Sequence, residues 1–324
     1  FMRANFLSQR SSGFDGGEVT GMADWSERLV ERVREANVLG TPLRITGADT
    51  KHFLGRQPQG EQVDVSGHTG ILSYEPTELV LTVRAGTPIA ETQAILNESG
   101  QYLAFEPPDF ESAATIGGTV ASGLSGPCRP YRGSVRDFVL GVTCVNGRGE
   151  FLRFGGQVMK NVAGYDLSRL MTGAFGVLSV VVDATFKLMP VAPASRTALI
   201  ELGSIDAMAP IVADLVSSDL TPSAIELQWP PARLLVRFES VESAVEPQAD
   251  AVARLTAARD ASCRVTVHRD DQESTLWEDH AGRWNEPGTL VKVSTATNAI
   301  VPTLIWLREA CQDRNVVMSA QGRA

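Results

Sequence analysis

The chain has 324 residues, of which 43% are hydrophobic and 21% charged, with a formal net charge of −9 and a sequence pI of about 5.1. That length suits two domains of ordinary size, and the composition is that of a globular protein. The acidic balance argues against nucleic acid, which needs a basic footprint.

Apolar runs are short; Val177 to Val182 ends at Asp183, far from the roughly 20 residues that span a bilayer. No basic-then-apolar signal peptide is read at the N-terminus. The cysteines Cys128, Cys144, Cys263 and Cys311 lack metal-ligand spacing, so no metal site and no four-cysteine iron–sulfur cluster is expected. They read as free thiols of a reducing cytosol. Residues 1–21, Gly/Ser-rich and aperiodic, read as a non-native or disordered leader.

In chain order, a helix is predicted from the capping residue Asp24, with Trp25, Leu29, Val30 and Val33 at helical spacing up to Asn37. A strand over 42–46 leads into the turn Gly47-Ala48-Asp49-Thr50-Lys51. Strands over 63–65 and 78–83 follow. A helix over 87–96 is expected to open on Thr87 with Pro88 at its first position. Residues 137–154 read as a hairpin closed by Asn146-Gly147-Arg148-Gly149. A short helix over 167–171 and a β-branched strand over 178–188 complete a first domain of residues 22–190.

Composition changes near Pro190, and MPVAPASR reads as a linker. Beyond it come a strand over 198–202, a helix over 205–217, strands over 224–228 and 234–238, a helix over 247–258 and a strand over 263–268. That is the β-α-β-β-α-β run of a ferredoxin-like sandwich. A helix over 273–284, a strand over 288–294, a helix over 302–309 and a strand over 316–319 fill the rest of a second domain, 195–324.

The densest signal lies between Glu106 and Pro190. Glycine recurs at Gly117, Gly118, Gly123, Gly126, Gly133, Gly141, Gly164, Gly173 and Gly176 while the intervening residues stay apolar. A disordered tail would be polar. Glycine among apolar residues lets backbone approach something large and flat, such as a planar cofactor with a phosphate tail. No GxGxxG joins a strand to a helix, so a Rossmann-type nicotinamide site is not expected.

These residues resemble the flavoprotein family with the vanillyl-alcohol-oxidase-type, or PCMH-type, FAD-binding domain. The likeness rests on three blocks: the strand at Leu43–Thr46 with its turn; Ala114-Thr115-Ile116-Gly117-Gly118 through Gly141; and Gly164-Tyr165-Asp166-Leu167 through Val181. Within the family the chain is most similar to the FAD-binding subunits of bacterial glycolate oxidase (glycolate dehydrogenase). The strings Phe53-Leu54-Gly55-Arg56, SYEPTELVLTVRAGTP from Ser73 and RFGGQVMKNVAGYDLSRLMTGAFG from Arg153 carry that closer match. Where the family often has Asp before the proline, Glu75 precedes Pro76 and keeps the charge. The likeness covers residues 24–190 and is weaker beyond.

The resemblance implies an α+β chain, with a two-subdomain PCMH-type FAD-binding domain followed by a ferredoxin-like cap. It implies noncovalent FAD, because Asp49 stands where tethered members carry a histidine. Gly47, Ala48, Asp49, Thr50 and Lys51 would form an anion-binding nest for the pyrophosphate, with Asp49 turned away and Lys51 offsetting charge. Thr115, Gly117, Gly118, Ser122, Gly123, Gly133 and Ser134 would lie along the ribityl and ring system, and Gly176 and Val181 towards the adenine. The ordinary alternatives are a solvated surface lysine, and Ser and Thr hydroxyls bonded to their own backbone.

Oxidising a 2-hydroxy acid needs a base, a cation for the carboxylate and an electron acceptor. The candidate bases are His52, His68, His268 and His280, each more often structural. The candidate clamps are Arg129, Arg132 and Arg136, the last beside Asp137. Tyr131 and Tyr165 are candidate pocket walls, with aromatic packing as the default. The resemblance implies a complex with a larger flavin-binding catalytic subunit and an iron–sulfur subunit, oxidising glycolate to glyoxylate. The expected location is cytoplasmic, at the inner face of the inner membrane if the complex attaches there. Two alternatives stay open: a noncatalytic flavin-holding or scaffold subunit, and a stand-alone FAD-dependent 2-hydroxy-acid dehydrogenase. The family's C-terminal return segment is not read in the sequence up to Ala324.

Overall fold

The computed structural model describes residues 24–110, 113–156, 166–285, 288–289, 291, 293–312 and 320–323. The leader expected over 1–21 lies outside the described residues. Helix α1 (Ser26–Leu39) buries Leu29, Val33 and Ala36, the apolar stripe of an amphipathic helix. Asp24 Oδ1 accepts the Ser26 N–H at 2.9 Å at its start. The stripe packs on Val63, Val65, Val145, Val180 and Val182. It thereby joins the parallel pair β1 (Leu43–Thr46) and β2 (Glu61–Asp64) to the sheet that follows.

The chain then runs through β3 (Ile71–Glu75), β4 (Val80–Arg84), α2 (Ile89–Glu98), β5 (Gln101–Tyr102) and three short helices, α3 (Ile116–Ser122), α4 (Arg129–Arg132) and α5 (Val135–Phe138). After them come the hairpin β6 (Val139–Asn146) and β7 (Phe151–Gly155), α6 (Leu167–Met171), β8 (Ser179–Lys187) and β9 (Met189–Pro190). Five of these strands form an antiparallel sheet in the order β3-β4-β8-β6-β7. The near-continuous apolar run of β8 suits a central strand, buried along all but its last residue. In the hairpin turn, Asn146 Oδ1 accepts the N–H groups of Arg148 and Glu150 at 2.9 and 3.1 Å. The core under this sheet includes Leu81, Leu96, Phe105, Ile116, Phe138 and Phe186.

Two local expectations shift. Helix α2 starts at Ile89 with Pro88 as its cap, because the Thr87 hydroxyl accepts the Gly70 N–H at 2.9 Å instead of capping. Asp137 belongs to α5, where it and Ser134 form a capping box.

The C-terminal half is β10 (Ala194–Glu201), α7 (Met208–Ser217), β11 (Ala224–Trp229), β12 (Arg233–Ser240), α8 (Glu242–Arg259), β13 (Arg264–His268), α9 (Asp270–Gly282), α10 (Ile300–Gln312) and β14 (Ala320–Arg323). Its sheet runs β13-β10-β12-β11-β14. The first four strands give the ferredoxin-like order fourth, first, third, second, as expected. Helix α8 begins five residues before Pro247, which sits inside it and forfeits one backbone bond there. The expected strand over 316–319 lies outside the described residues; β14 follows it and pairs antiparallel with β11. The described residues within 288–294 form no strand.

Strand alternation gives this sheet two unlike faces. Ala198, Ile200, Leu227, Val236 and Phe238 pack with Ile211, Leu215, Val245 and Val252 of α7 and α8. Thr197, Glu226, Gln228, Arg237 and Glu239 alternate with them and are buried or nearly so on the other face, towards α9 and α4. Among the described residues no helix is long and apolar enough to cross a membrane, and no His/Cys/Asp/Glu group has a metal-holding arrangement.

Candidate cofactor site

Three segments far apart in sequence meet pairwise. The turn after β1 packs on the start of α3, where a Cβ at Gly47 would stand 2.6 Å from Thr115 Oγ1; only glycine permits that approach. Thr115 caps α3, its Oγ1 accepting the Gly118 N–H at 3.2 Å. Gly117 donates to the Ala85 carbonyl at 2.7 Å, and a Cβ there would come within 2.7 Å of Ala85 Cβ. The end of α3 meets the third segment: Gly173 and Phe175 donate to the carbonyls of Val120 and Ala121, each at 2.9 Å. That segment returns to the first, a Cβ at Gly176 falling 3.6 Å from Ile45. Strand β1 with its turn 47–51, helix α3 and turn 172–178 thus close on one another.

Lys51 lies where the first two segments meet. Its Nζ donates to Thr50 Oγ1 at 3.2 Å and sits 4.7 Å over the Phe110 ring. It is 3.9 Å from the place a Cβ would take on Gly118. Among the described residues no carboxylate pairs with it, and burial lowers its pKa to about 8. Asp49 adopts φ +55° and turns its carboxylate to Arg44, 3.7 Å away. Its carbonyl lies 2.9 Å from His52 Nδ1. Ala48 is exposed beside it. At the third corner Phe175 and Val177 stand exposed, the latter 83%, as apolar side chains do at a binding surface. Glycine-rich backbone, an ammonium with no carboxylate partner among the described residues and exposed apolar groups fit an extended ligand that carries phosphate and a flat ring.

The other expected residues occupy varied places. Ser122 Oγ donates to the Thr119 carbonyl at 3.3 Å. The Ser134 hydroxyl and N–H both donate to Asp137 Oδ2, at 2.9 and 2.8 Å, and that backbone donor leads in holding the Asp137 carboxyl below its usual range. Gly123 closes α3 in the left-handed region, and Gly133 leads into α5, which packs against α3. Val181 is buried in β8, on which α3 lies. Arg129 and Arg136 are exposed. Arg132 turns instead to the C-terminal sheet and pairs with Glu239 at 3.1 Å. Tyr165 lies outside the described residues.

Among the histidines, His68 is buried and its Nδ1 accepts the Trp25 N–H at 2.9 Å. His280 is buried between Glu226, at 3.0 Å, and Gln228, at 2.8 Å. His268 ends the sheet-edge strand β13. Sequence reasoning did not single out Phe110 or Ala85. Ala85 sits inside the string from Ser73 and Phe110 just before the Ala114 block, but only the packing of Gly117 and Lys51 on them reveals their place.

Residues 23–155 match the family model described as an FAD binding domain. The chain is 38% identical over 310 residues to the glycolate oxidase subunit GlcE of Escherichia coli K12, covering 90% of this chain and 83% of that protein. It is 33% identical over 168 residues to the glycolate oxidase subunit GlcD of Bacillus subtilis, covering 51% of this chain and 35% of that one. A D-lactate dehydrogenase of Anaerostipes hadrus is 28% identical, over 64% of this chain and 44% of its own. The solved structure of an alkyldihydroxyacetonephosphate synthase superposes with a TM-score of 0.65 at 16% identity, over 80% of this chain and 53% of that one, a likeness of fold. These findings bear out the PCMH-type α+β fold and the FAD cofactor. The chain belongs to the GlcE family of glycolate oxidase subunits, flavoprotein oxidoreductases built on an FAD-binding domain.

Proposed function

We propose that this chain holds FAD noncovalently in the cleft among turn 47–51, α3 and turn 172–178, as one subunit of a complex that oxidises glycolate to glyoxylate. The observation that supports this most is the half-buried Lys51 ammonium, without a carboxylate partner among the described residues, where glycine-rich segments converge. Gly47, Thr50 and Lys51 would hold the pyrophosphate, Gly117 and Gly118 would take the flat part of the ligand, and Gly176 and Val181 the adenine end. When bound, the flavin supplies a two-electron acceptor. The chain's own residues set its surroundings: Thr115 fixes the Gly118 N–H, and Arg44 keeps the Asp49 carboxylate from the phosphates. On this reading residues 22–190 bind flavin and 195–324 form the cap. The partners are a larger flavin-binding subunit and an iron–sulfur subunit that takes the electrons onward.

A second reading has specific support: the chain holds flavin while the larger partner oxidises the substrate. Arg132 and Arg237, the arginines at the junction of the two halves, are both matched by carboxylates of the chain itself. Neither is open to a substrate carboxylate. Anaerobic addition of glycolate to the purified, FAD-loaded chain separates the readings. Bleaching of the flavin absorbance supports turnover by this chain. Bleaching only after the partner subunits are added supports the second reading, and no bleaching in either case contradicts both.

A further inference from the structure

The junction between the two halves carries charges that the flavin cleft does not use. Arg237 projects from β12 on the polar face of the sheet, and its side chain is 12% exposed. Its Nη2 donates to Glu106 Oε1 and stands 2.8 Å from Cys128 Sγ. Its Nε lies 3.2 Å from Glu239 Oε2, and its guanidinium covers the Trp277 ring at 4.5 Å. Glu106 comes from the N-terminal half, on a backbone with φ +47°, and its Oε2 accepts the Cys128 N–H at 2.9 Å. From the same half, Arg132 reaches Glu239 at 3.1 Å and lies 5.7 Å over the Tyr102 ring.

The arrangement is crossed. Each half contributes one cation and one anion, and each cation meets the anion of the other half. Docked, the four charges sum to zero and stay matched while mostly shielded from water. Arg237 and Glu239 also pair within the C-terminal half, so tilting or sliding strips the cross-half partners chiefly from Glu106 and Arg132 of the N-terminal half, and buried charge without a partner is strongly unfavourable. A crossed quartet therefore selects one docking geometry more sharply than an apolar contact of the same size would. Burial disfavours the Arg237 charge, but the Glu106 and Glu239 carboxylates more than offset this and hold it firmly protonated. Burial leads in raising the Cys128 thiol well above its ordinary value, so this sulfur acts as a shielded bystander and not as a nucleophile.

We propose that Arg237, Glu106, Arg132 and Glu239 form an interdomain clasp that holds the C-terminal sandwich in a single orientation on the N-terminal half, with Arg237 as its pin. Its members are positioning residues. The claim is independent of the flavin reading, because it concerns how the halves dock and not what they bind.

Cys128 reports on the clasp directly. It is fully buried at the junction, whereas Cys144 is fully buried inside the N-terminal core. The full chain is treated with a maleimide, and labelling at each cysteine is followed by peptide mass spectrometry. The wild-type chain is expected to protect both. E106Q keeps shape but removes a charge, and R132M acts on the other arm of the cross. Each is expected to speed labelling of Cys128 at least tenfold while Cys144 stays protected. The double variant E106L/R237M, which removes a matched pair, is expected to recover much of the protection lost in E106Q. Unchanged Cys128 labelling in folded E106Q and R132M overturns the clasp. So does a parallel rise at Cys144, which would mean that the quartet supports the whole fold and not the docking of its halves.

Discussion

A partly shielded ammonium unmatched by a carboxylate is an invitation to an anion, and among the described residues Lys51 is in that position. A hydrogen bond to a charged group contributes about 1.5–3 kcal/mol, so Lys51→Met is expected to weaken FAD binding roughly ten- to a hundredfold. ADP, which carries the same pyrophosphate, should lose affinity in step; riboflavin, which carries none, should not. The comparison is a fluorescence titration with each ligand. The pH dependence follows from the lowered lysine pKa of about 8, against an ordinary 10.5. An anion prefers the protonated form, so affinity is full below pH 8 and declines above it, a decline that K51M abolishes. Between pH 8 and 10.5 the unfolded chain holds that proton and the folded one does not. The unliganded fold therefore gains stability with rising pH across that window.

The glycines stood out in the sequence because they recur among apolar residues, and Lys51 because it closes a turn of small and polar residues. The roles of Ser122 and Ser134 were not. Their hydroxyls bond a helix backbone and a capping carboxylate nearby, and residue type alone does not tell a local cap from a ligand contact.

Helix α3 is the element on which the proposed cleft turns, since its start touches the first glycine segment and its end the third. Gly117→Val is expected to force α3 away from Ala85, whose carbonyl lies 3.1 Å and whose Cβ lies 2.7 Å from any Cβ placed there. The cost is about 1–3 kcal/mol, as for overpacked cores. It should appear as a lower thermal midpoint together with lost flavin, because the displaced helix carries Gly118 with it. An unchanged midpoint would remove α3 from this role.

At this scale periodicity located most strands and helices, the hairpin among them. The errors came where a tertiary partner outbid a local signal, as when Gly70 captured the Thr87 hydroxyl. Helix α5 escaped notice because four residues show no period.

Among the described residues, the two largest packed cores sit under two separate five-stranded sheets, and a smaller one lies beneath α1. The C-terminal strand order could be read from the β-α-β-β-α-β succession, because few topologies suit such a run. The junction could not. Glu106, Arg132, Arg237 and Glu239 have no common spacing, and the pairs Arg237–Glu106 and Arg132–Glu239 exist only once the halves are docked. The same holds for the meeting of Gly47 with Thr115, which links segments that no short motif spans.

Calorimetric titration of FAD into the purified wild-type chain and into K51M, each followed by denaturation and mass measurement, probes the cleft most directly. The expected result is one FAD per wild-type chain, much weaker binding to K51M, and an unmodified polypeptide mass after denaturation. Equal affinity in the two proteins, no binding to the wild type, or a flavin adduct on the polypeptide would contradict a noncovalent FAD site built around Lys51.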